Sequence, residues 1–256
     1  MDRTNWIGVW TLYRREVRRF LSVSAQTLVG PVVGGLLLLI VLAAVLDART
    51  ANTSVRSHLS FVAPGIVIMA IAQNAFANTS SSLLVAKIQG NISDLLLAPL
   101  SAVELLVGFA LGGVTRGLIV GATLAVAIAP FVPMPLPMPG AMLFFAIGGA
   151  LIFALLGVIA GLWANRMDEQ AAVTNFVVAP VTLLSGTFFS VGALPPAYQY
   201  IARLDPFLYV VDGFRGGFSG VAEESAAVAV AIVAASTGLL FVTCHRLLTV
   251  GWRLRH

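Results

Sequence analysis

Arg116 is the charged residue of this chain with the greatest potential for chemistry, because it lies near the middle of a long apolar stretch. An arginine in the centre of a bilayer costs at least ~2.5–3.5 kcal/mol, so it must face protein or water. A role in a translocation path and a structural role, through an ion pair or hydrogen bonds to carbonyls at a helix break, are both open. A shifted register that lets the side chain reach the interface is a third possibility. The sequence names no partner for it.

A second polar group follows the apolar residues of an earlier stretch, where Gln73, Asn74 and Asn78 precede a run of hydroxyl residues. Such side chains should face other helices or a polar path rather than lipid. We therefore predict a translocation path that includes Arg116, Gln73, Asn74 and Asn78.

Signatures of catalysis, metal binding or nucleotide binding are missing from the sequence. His58, His245 and His256 are far apart, Cys244 is the single cysteine, and no phosphate-binding loop surrounds Lys87, the single lysine. We expect no catalytic, cofactor or metal site, and the chain is not itself an ATPase.

Two other functional classes remain as alternatives. A membrane-embedded lipid-modifying enzyme could use Arg116 with Asp205, Asp212 and Arg215, although these carboxylates are scattered one per element. A secondary transporter would be expected to carry coupling carboxylates inside its spans or paired broken helices, and the sequence shows neither.

The composition is that of an integral membrane protein. Hydrophobic residues make up 59% of the 256 residues, charged residues only 10%, and the mean hydropathy is +0.95. A soluble domain has about a quarter charged residues. The basic residues lie beside apolar stretches rather than in an aromatic-rich patch, so the pI of about 9.8 reflects topology and not a nucleic-acid partner.

The apolar stretches predict an all-α protein with six transmembrane helices. Residues 1–25 form an amphipathic interface helix, 26–248 the transmembrane domain, and 249–256 a tail. The predicted spans are residues 26–46, 59–84, 102–129, 140–165, 171–189 and 225–244.

The N-terminal helix has two distinct faces. Trp6, Trp10, Tyr13, Val17 and Leu21 recur at helical spacing, and the arginines lie on the other side. Such a helix lies in the interface and contacts anionic lipid. A gate helix that also leans on a cytoplasmic partner is an equally open interpretation.

The charge distribution predicts that both termini are cytoplasmic. With six spans, ten Lys or Arg residues fall on the side of the termini and four on the other. Cytoplasmic loops carry the excess of positive charge.

The connection between spans 2 and 3 contains a short helix with clear end signals. Asn91 can cap it, Pro99 ends it, and Ser101 with Glu104 forms a capping box that starts span 3. Capping and contact with a partner protein are equally open for Asp94.

The segment from Pro180 to Gly220 is neither a clean span nor a soluble loop. It breaks at Ser185-Gly186, turns at Pro195-Pro196, and combines aromatic side chains with a few charges. We expect Asp212 and Arg215, at i and i+3, to pair locally. The following aromatic residues suit the headgroup level, where a ring is half buried: Phe188, Phe189, Tyr198, Tyr200, Phe207, Tyr209, Phe214 and Phe218.

Two stretches carry a resemblance to a known family. SGTFF, the LPP turn, DPF and DGFRGGF, together with the residues from Gly90 to Ser101, resemble permease subunits of the ABC-2 type transporter family. The resemblance implies that the segment from Pro180 to Gly220 re-enters the outer leaflet before the last span. We hypothesise that this segment forms an external gate that includes Pro195, Pro196, Asp212 and Arg215, and a packed lid without a gating role is the alternative.

The same resemblance implies how the protein works and with which partners. The connection between spans 2 and 3 would be a coupling helix, with Asp94, Leu95, Leu96 and Leu97 contacting an ATPase. Two permease copies, expected to be a homodimer in the bacterial inner membrane, would pair with two ATPase subunits that bind ATP. Family substrates range from polysaccharides and lipid-linked glycans to drugs, and nothing in the sequence selects among them.

Overall fold

The computed structural model describes residues 5–23, 25–47, 52–92 and 97–253, and these residues form helices and turns without a strand. The long helices are α1 (Trp6–Leu21), α2 (Gly30–Asp47), α3 (Asn52–Ile88), α4 (Ala102–Ile128) and α5 (Pro139–Trp163). Shorter helices follow, α6 (Met167–Val173), α7 (Ala179–Leu184), α8 (Pro196–Arg203) and α9 (Pro206–Ser219), before the long α10 (Ala226–Val250). π-helical turns occupy Ala25–Val29 and Thr174–Val178, and a 3₁₀ turn occupies Val191–Ala193.

Five helices of the described part are long and apolar enough to cross a membrane: Thr27–Val45, His58–Ile88, Ala102–Ile128, Pro139–Trp163 and Ala226–Val250. They correspond to predicted spans 1, 2, 3, 4 and 6. The largest difference between a predicted and an observed helix end is at the start of α3, which begins at Asn52 rather than near residue 59.

An interrupted helix stands where the fifth span was predicted. α6, the π turn and α7 contain seven, five and six residues in succession, and the helix ends at Leu184 rather than near residue 189. At 1.5 Å per residue this run is about 27 Å long, close to the thickness of a hydrocarbon core. This run, the predicted fifth span, is not among the five described helices that are long and apolar enough to cross a membrane.

α3 is the central helix, and glycines let its neighbours approach its backbone. A Cβ at Gly157 of α5 would lie 2.5 Å from the Phe76 carbonyl oxygen, and one at Gly117 of α4 would lie 2.7 Å from the Ile71 carbonyl oxygen. Small residues at helix contacts in membrane proteins let the backbones approach in this way.

α1 packs along α4 through the face that carries Val9, Leu12, Glu16 and Phe20, all buried. Its other face leaves Trp6 and Trp10 exposed. This arrangement suits a helix that lies in the interface with its tryptophans toward lipid.

Candidate functional site

The polar half of α3 lies against three other helices. The Gln73 amide donates to Thr182 Oγ1 on α7 at 2.9 Å, and the Asn74 amide donates to the Ala70 carbonyl oxygen at 3.0 Å. Asn78 is fully buried. These side chains give the bundle a polar interior.

Arg116 reaches this polar face from α4. Its Nη2 donates to Asn74 Oδ1 at 3.3 Å, and its Nε is buried without a hydrogen-bond partner. Among the described residues, no carboxylate lies within 4.0 Å of the Arg116 guanidinium. The structure thus joins Arg116 to Asn74, a contact that the sequence alone did not reveal.

Glu16 is a functional candidate that the sequence analysis missed. It is fully buried, accepts a hydrogen bond from Ser82 Oγ at 2.7 Å and forms an ion pair with Arg19 at 3.2 Å. Arg19 in turn donates to the Asn78 carbonyl oxygen at 2.7 Å and to Asn78 Oδ1 at 3.1 Å. The available signal was the spacing of Val9, Leu12, Glu16 and Phe20, which places Glu16 in a second stripe of otherwise apolar residues.

A cavity of about 210 Å³ lies between α2, α3 and α4, beside this polar face. Gln73 and Asn74 form its polar wall, and Gly34 and Gly35 of α2, which have no side chains, line the cavity as well. Of the four residues predicted for a path, the structure brings Asn74 and Arg116 into contact, places Gln73 next to Asn74, and places Asn78 one turn below.

The start of α4 is tied to the start of α1. Ser101 and Glu104 form the predicted capping box, and Glu104 Oε1 also accepts the backbone N–H of Asn5 at 2.5 Å. The Asn5 amide donates to the Pro99 carbonyl oxygen at 3.1 Å. These contacts join the segment around Pro99 to the starts of both helices.

The predicted partner-contact residues are only partly visible. Asp94, Leu95 and Leu96 lie outside the described residues. Leu97 is 82% exposed, and beside it a groove of about 350 Å³ runs between Ala98–Leu100 and the first turns of α1.

Asp212 and Arg215 do not pair with each other, and the expectation of a local ion pair was wrong. The Asp212 carboxylate accepts the backbone N–H groups of Glu223 and Glu224 at 3.1 and 2.9 Å. The Arg215 guanidinium donates to the Phe61 and Gly186 carbonyl oxygens at 3.0 and 2.6 Å. Asp212 thus binds N–H groups of the loop before α10, whereas Arg215 binds one carbonyl at the break after α7 and one carbonyl of α3.

For Arg116, one expected role was hydrogen bonding to carbonyls at a helix break. Arg215, and not Arg116, makes such a hydrogen bond, to the Gly186 carbonyl oxygen. The guanidinium also lies 3.6 Å from the centroid of the Phe61 ring. Arg215 thus joins α9 to α3 and to the break after α7, whereas Pro195 and Pro196 lie exposed at the start of α8.

For four of the eight aromatic residues assigned to the headgroup level, the expected half-burial was also wrong. Phe207, Tyr209, Phe214 and Phe218 are buried in the core, because α9 packs against α3, α5 and α10. Phe188 and Phe189 are half-buried, and Tyr198 and Tyr200 are exposed. An amphipathic aromatic pattern does not distinguish a headgroup from a protein surface.

The carboxylates proposed for an enzyme active site are engaged in structural hydrogen bonds. Asp205 caps α9 through the Phe207 N–H at 2.9 Å and accepts a hydrogen bond from Ser185 Oγ. Burial raises the pKa of the Asp205 carboxyl above its ordinary value, and these hydrogen bonds offset only part of that rise. The described residues hold no group of three or more His, Cys, Asp or Glu suited to a metal ion.

Comparison with known proteins identifies relatives along nearly the whole chain. Residues 8–219 match the model of the ABC-2 type transporter family. The chain is 32% identical to the inner membrane transport permease YadH of Escherichia coli over 98% of both chains. It is 24% identical to nodulation protein J of Rhizobium meliloti, over 82% of this chain and 80% of that protein.

Proposed function

Because the chain belongs to the ABC-2 type transporter family, we propose that it is the permease subunit of an ATP-driven exporter. The match along the whole chain to an inner membrane transport permease carries the proposal. The family and the apolar helices indicate a multi-pass inner membrane protein and a transporter subunit rather than an enzyme. The substrate would be a glycan, a lipid-linked molecule or a drug-like compound.

The proposed topology has six crossings and both termini in the cytoplasm. The run from α6 to α7 would be the fifth crossing, and α8 and α9 would form the re-entrant segment. Ten basic residues on the side of the termini support this orientation.

Energy would come from a separate ABC ATPase, in two copies, because the chain has no phosphate-binding loop of its own. We expect Asp94→Lys and Leu96→Asp to leave the permease inserted but to abolish most transport-stimulated ATP hydrolysis. A reversed charge, or a charge in an apolar contact, would misfit the partner surface. Asp94→Asn should be milder because asparagine still caps a helix.

The measurement is the ATPase activity of the purified complex, with assembly and expression checked in parallel. Asp168→Lys, the same charge change at an exposed residue of α6, is the control. Normal coupled activity in both Asp94→Lys and Leu96→Asp would reject the coupling role. Failure of any ABC ATPase to co-purify would reject the exporter.

A dimer of permeases would line the path with spans 1, 2 and 5. Leu37 of α2 and Phe176 of the π turn are 55% and 81% exposed, as expected for residues at such a seam. We expect Leu37→Cys and Phe176→Cys to form disulfide-linked dimers in a Cys244→Ala background. Cysteines at Leu239 of α10, which is also exposed, should not.

The readout is a band of doubled mass on a non-reducing gel, which separates dimers from links within one chain. Equal cross-linking by Leu239→Cys would indicate random collision. A functional complex with one permease copy would contradict the dimer.

The segment from α8 to α9 would form an external gate that contains Pro195, Pro196, Asp212 and Arg215. Cysteines placed at Tyr198 and Ser219, both exposed, should react with a membrane-impermeant maleimide added outside intact cells or spheroplasts. A cysteine at Arg166, in the turn between α5 and α6, should be protected until the membrane is opened. Reactivity of Tyr198→Cys or Ser219→Cys only from the cytoplasm would overturn this topology.

A further inference from the structure

Three buried side-chain nitrogen atoms in the described part of the chain have no hydrogen-bond partner: Arg19 Nε, Asn78 Nδ2 and Arg116 Nε. Each carries hydrogen and can only donate. Most buried polar atoms in proteins are paired, so such atoms require an explanation.

The three atoms belong to one group of side chains, which we name the donor cluster: Arg19, Asn74, Asn78 and Arg116. Arg19 donates to Asn78 Oδ1 at 3.1 Å, and Arg116 donates to Asn74 Oδ1 at 3.3 Å. Asn74 and Asn78 are one turn apart on the same face of α3. Each of these three nitrogens therefore belongs to a side chain that either lies on this short stretch of α3 or donates a hydrogen bond to it.

The donor cluster also carries more positive than negative charge. It contains two guanidinium groups, and among the described residues Glu16 is the only carboxylate within 4.0 Å of either. Glu16 already accepts hydrogen bonds from Ser82, Arg15 and Arg19. The cluster thus lacks an acceptor and a negative charge.

Space for a ligand is present on the cavity side. Asn74 belongs both to the donor cluster and to the wall of the 210 Å³ cavity, which has far more room than one water molecule needs. The other walls are mainly apolar, with Leu38, Ile66, Met69 and Leu124. Of the donor cluster, Asn74 is the residue that lines the cavity, so the oxyanion of a ligand would pass Asn74 to reach Arg116, and its apolar part would lie against the other walls.

We propose that the donor cluster binds the oxyanion, a phosphate or carboxylate, of an amphiphile that occupies the cavity between α2, α3 and α4. Guanidinium groups suit this role because their fork of N–H groups matches oxyanion geometry. The oxyanion could belong to a membrane phospholipid or to the exported molecule. The interpretation of the donor cluster as a substrate site rests on the proposed exporter function, but the binding of an oxyanion there does not.

The test is ligand-dependent thermal stabilisation of the full chain in neutral detergent. A ligand that binds the folded protein raises its Tm with concentration. Dodecyl phosphate should raise the Tm, and dodecyltrimethylammonium, with the same tail and opposite charge, should not. Arg116→Gln should raise the half-saturating concentration of dodecyl phosphate by about tenfold or more, because binding is weaker.

Arg14→Gln is the matched control, because Arg14 is exposed on the same helix as Arg19. It should retain the full response. Asn78→Asp is a second variant in case Arg116→Gln folds poorly. Its carboxylate can still bind Arg19, but it puts a negative charge where the ligand would bind, so the response should be lost.

Native mass spectrometry identifies the source of the oxyanion. An anionic phospholipid that co-purifies with the wild type and Arg14→Gln, but not with Arg116→Gln, supports a lipid headgroup. A chain that retains no lipid but responds to dodecyl phosphate supports the exported molecule.

Equal Tm shifts in the wild type, Arg116→Gln and Asn78→Asp would overturn the proposal, since they would show adsorption to exposed basic residues. So would no shift together with no retained lipid, which would leave only water at the donor cluster. Because these readouts need no ATPase, loss of the anion response with intact coupled hydrolysis would reject this site and leave the exporter standing.

Discussion

Gly157→Ala should destabilise the bundle by about 1–3 kcal/mol, the usual cost of overpacking. The added Cβ would lie 2.1 Å from Thr79 Oγ1 and 2.5 Å from the Phe76 carbonyl oxygen. Thr79 cannot simply rotate away without loss, because its hydroxyl donates to the Ala154 carbonyl oxygen at 2.7 Å. The α3 and α5 backbones must then separate, and Gly157→Leu should prevent their packing altogether.

The measurement is the Tm of the solubilised protein, with monodispersity in gel filtration as a second readout. Gly238→Ala on α10 is the matched control, because a Cβ there meets nothing within 4 Å. Alanine is also the better helix former by about 1 kcal/mol, so Gly238→Ala should be neutral or stabilising. Equal stability of the two variants would contradict close contact between α3 and α5.

Arg215→Met should destabilise the segment from α8 to α9 by about 3 kcal/mol or more, since a hydrogen bond to a charged group is worth about 1.5–3 kcal/mol. The change keeps an unbranched apolar stem but removes the donors to the Phe61 and Gly186 carbonyl oxygens. Those carbonyls would then be left without their charged partner beside the break that follows α7.

Hydrogen exchange around Ser185–Ser190 should accelerate in Arg215→Met, together with a lower Tm. Arg203→Met is the control, because Arg203 is exposed and pairs only with Glu224, at 3.0 Å. Exposed ion pairs contribute about 1 kcal/mol or less. If Arg203→Met and Arg215→Met were equally mild, Arg215 would not hold the break.

Local signals predicted most of the helices and one cap in detail. Apolar runs of about twenty residues identify five long helices, and Ser101 with Glu104 forms the predicted capping box. Both features depend on neighbours in sequence: a span must bury its backbone in its own hydrogen bonds, and a capping box closes over four residues.

Charge pairing was harder to predict from spacing. The i, i+3 spacing of Asp212 and Arg215 permits an ion pair, but each side chain binds unpaired backbone groups from elsewhere in the chain. The spacing rule describes an isolated helix in water. α9 is buried on nearly all sides, where an unpaired backbone group is costly.

The sequence by itself determined the class of the protein, its long helices and the fact that Arg116, Gln73, Asn74 and Asn78 must avoid lipid, because these follow from composition and from the cost of polar groups in a bilayer. Only the tertiary structure decided which of these side chains meet, that Glu16 is buried beside Arg19, and that four aromatic rings after the break are core residues. Those outcomes depend on contacts between residues far apart in the chain, and glycines on α4 and α5 bring the helices close enough to make them.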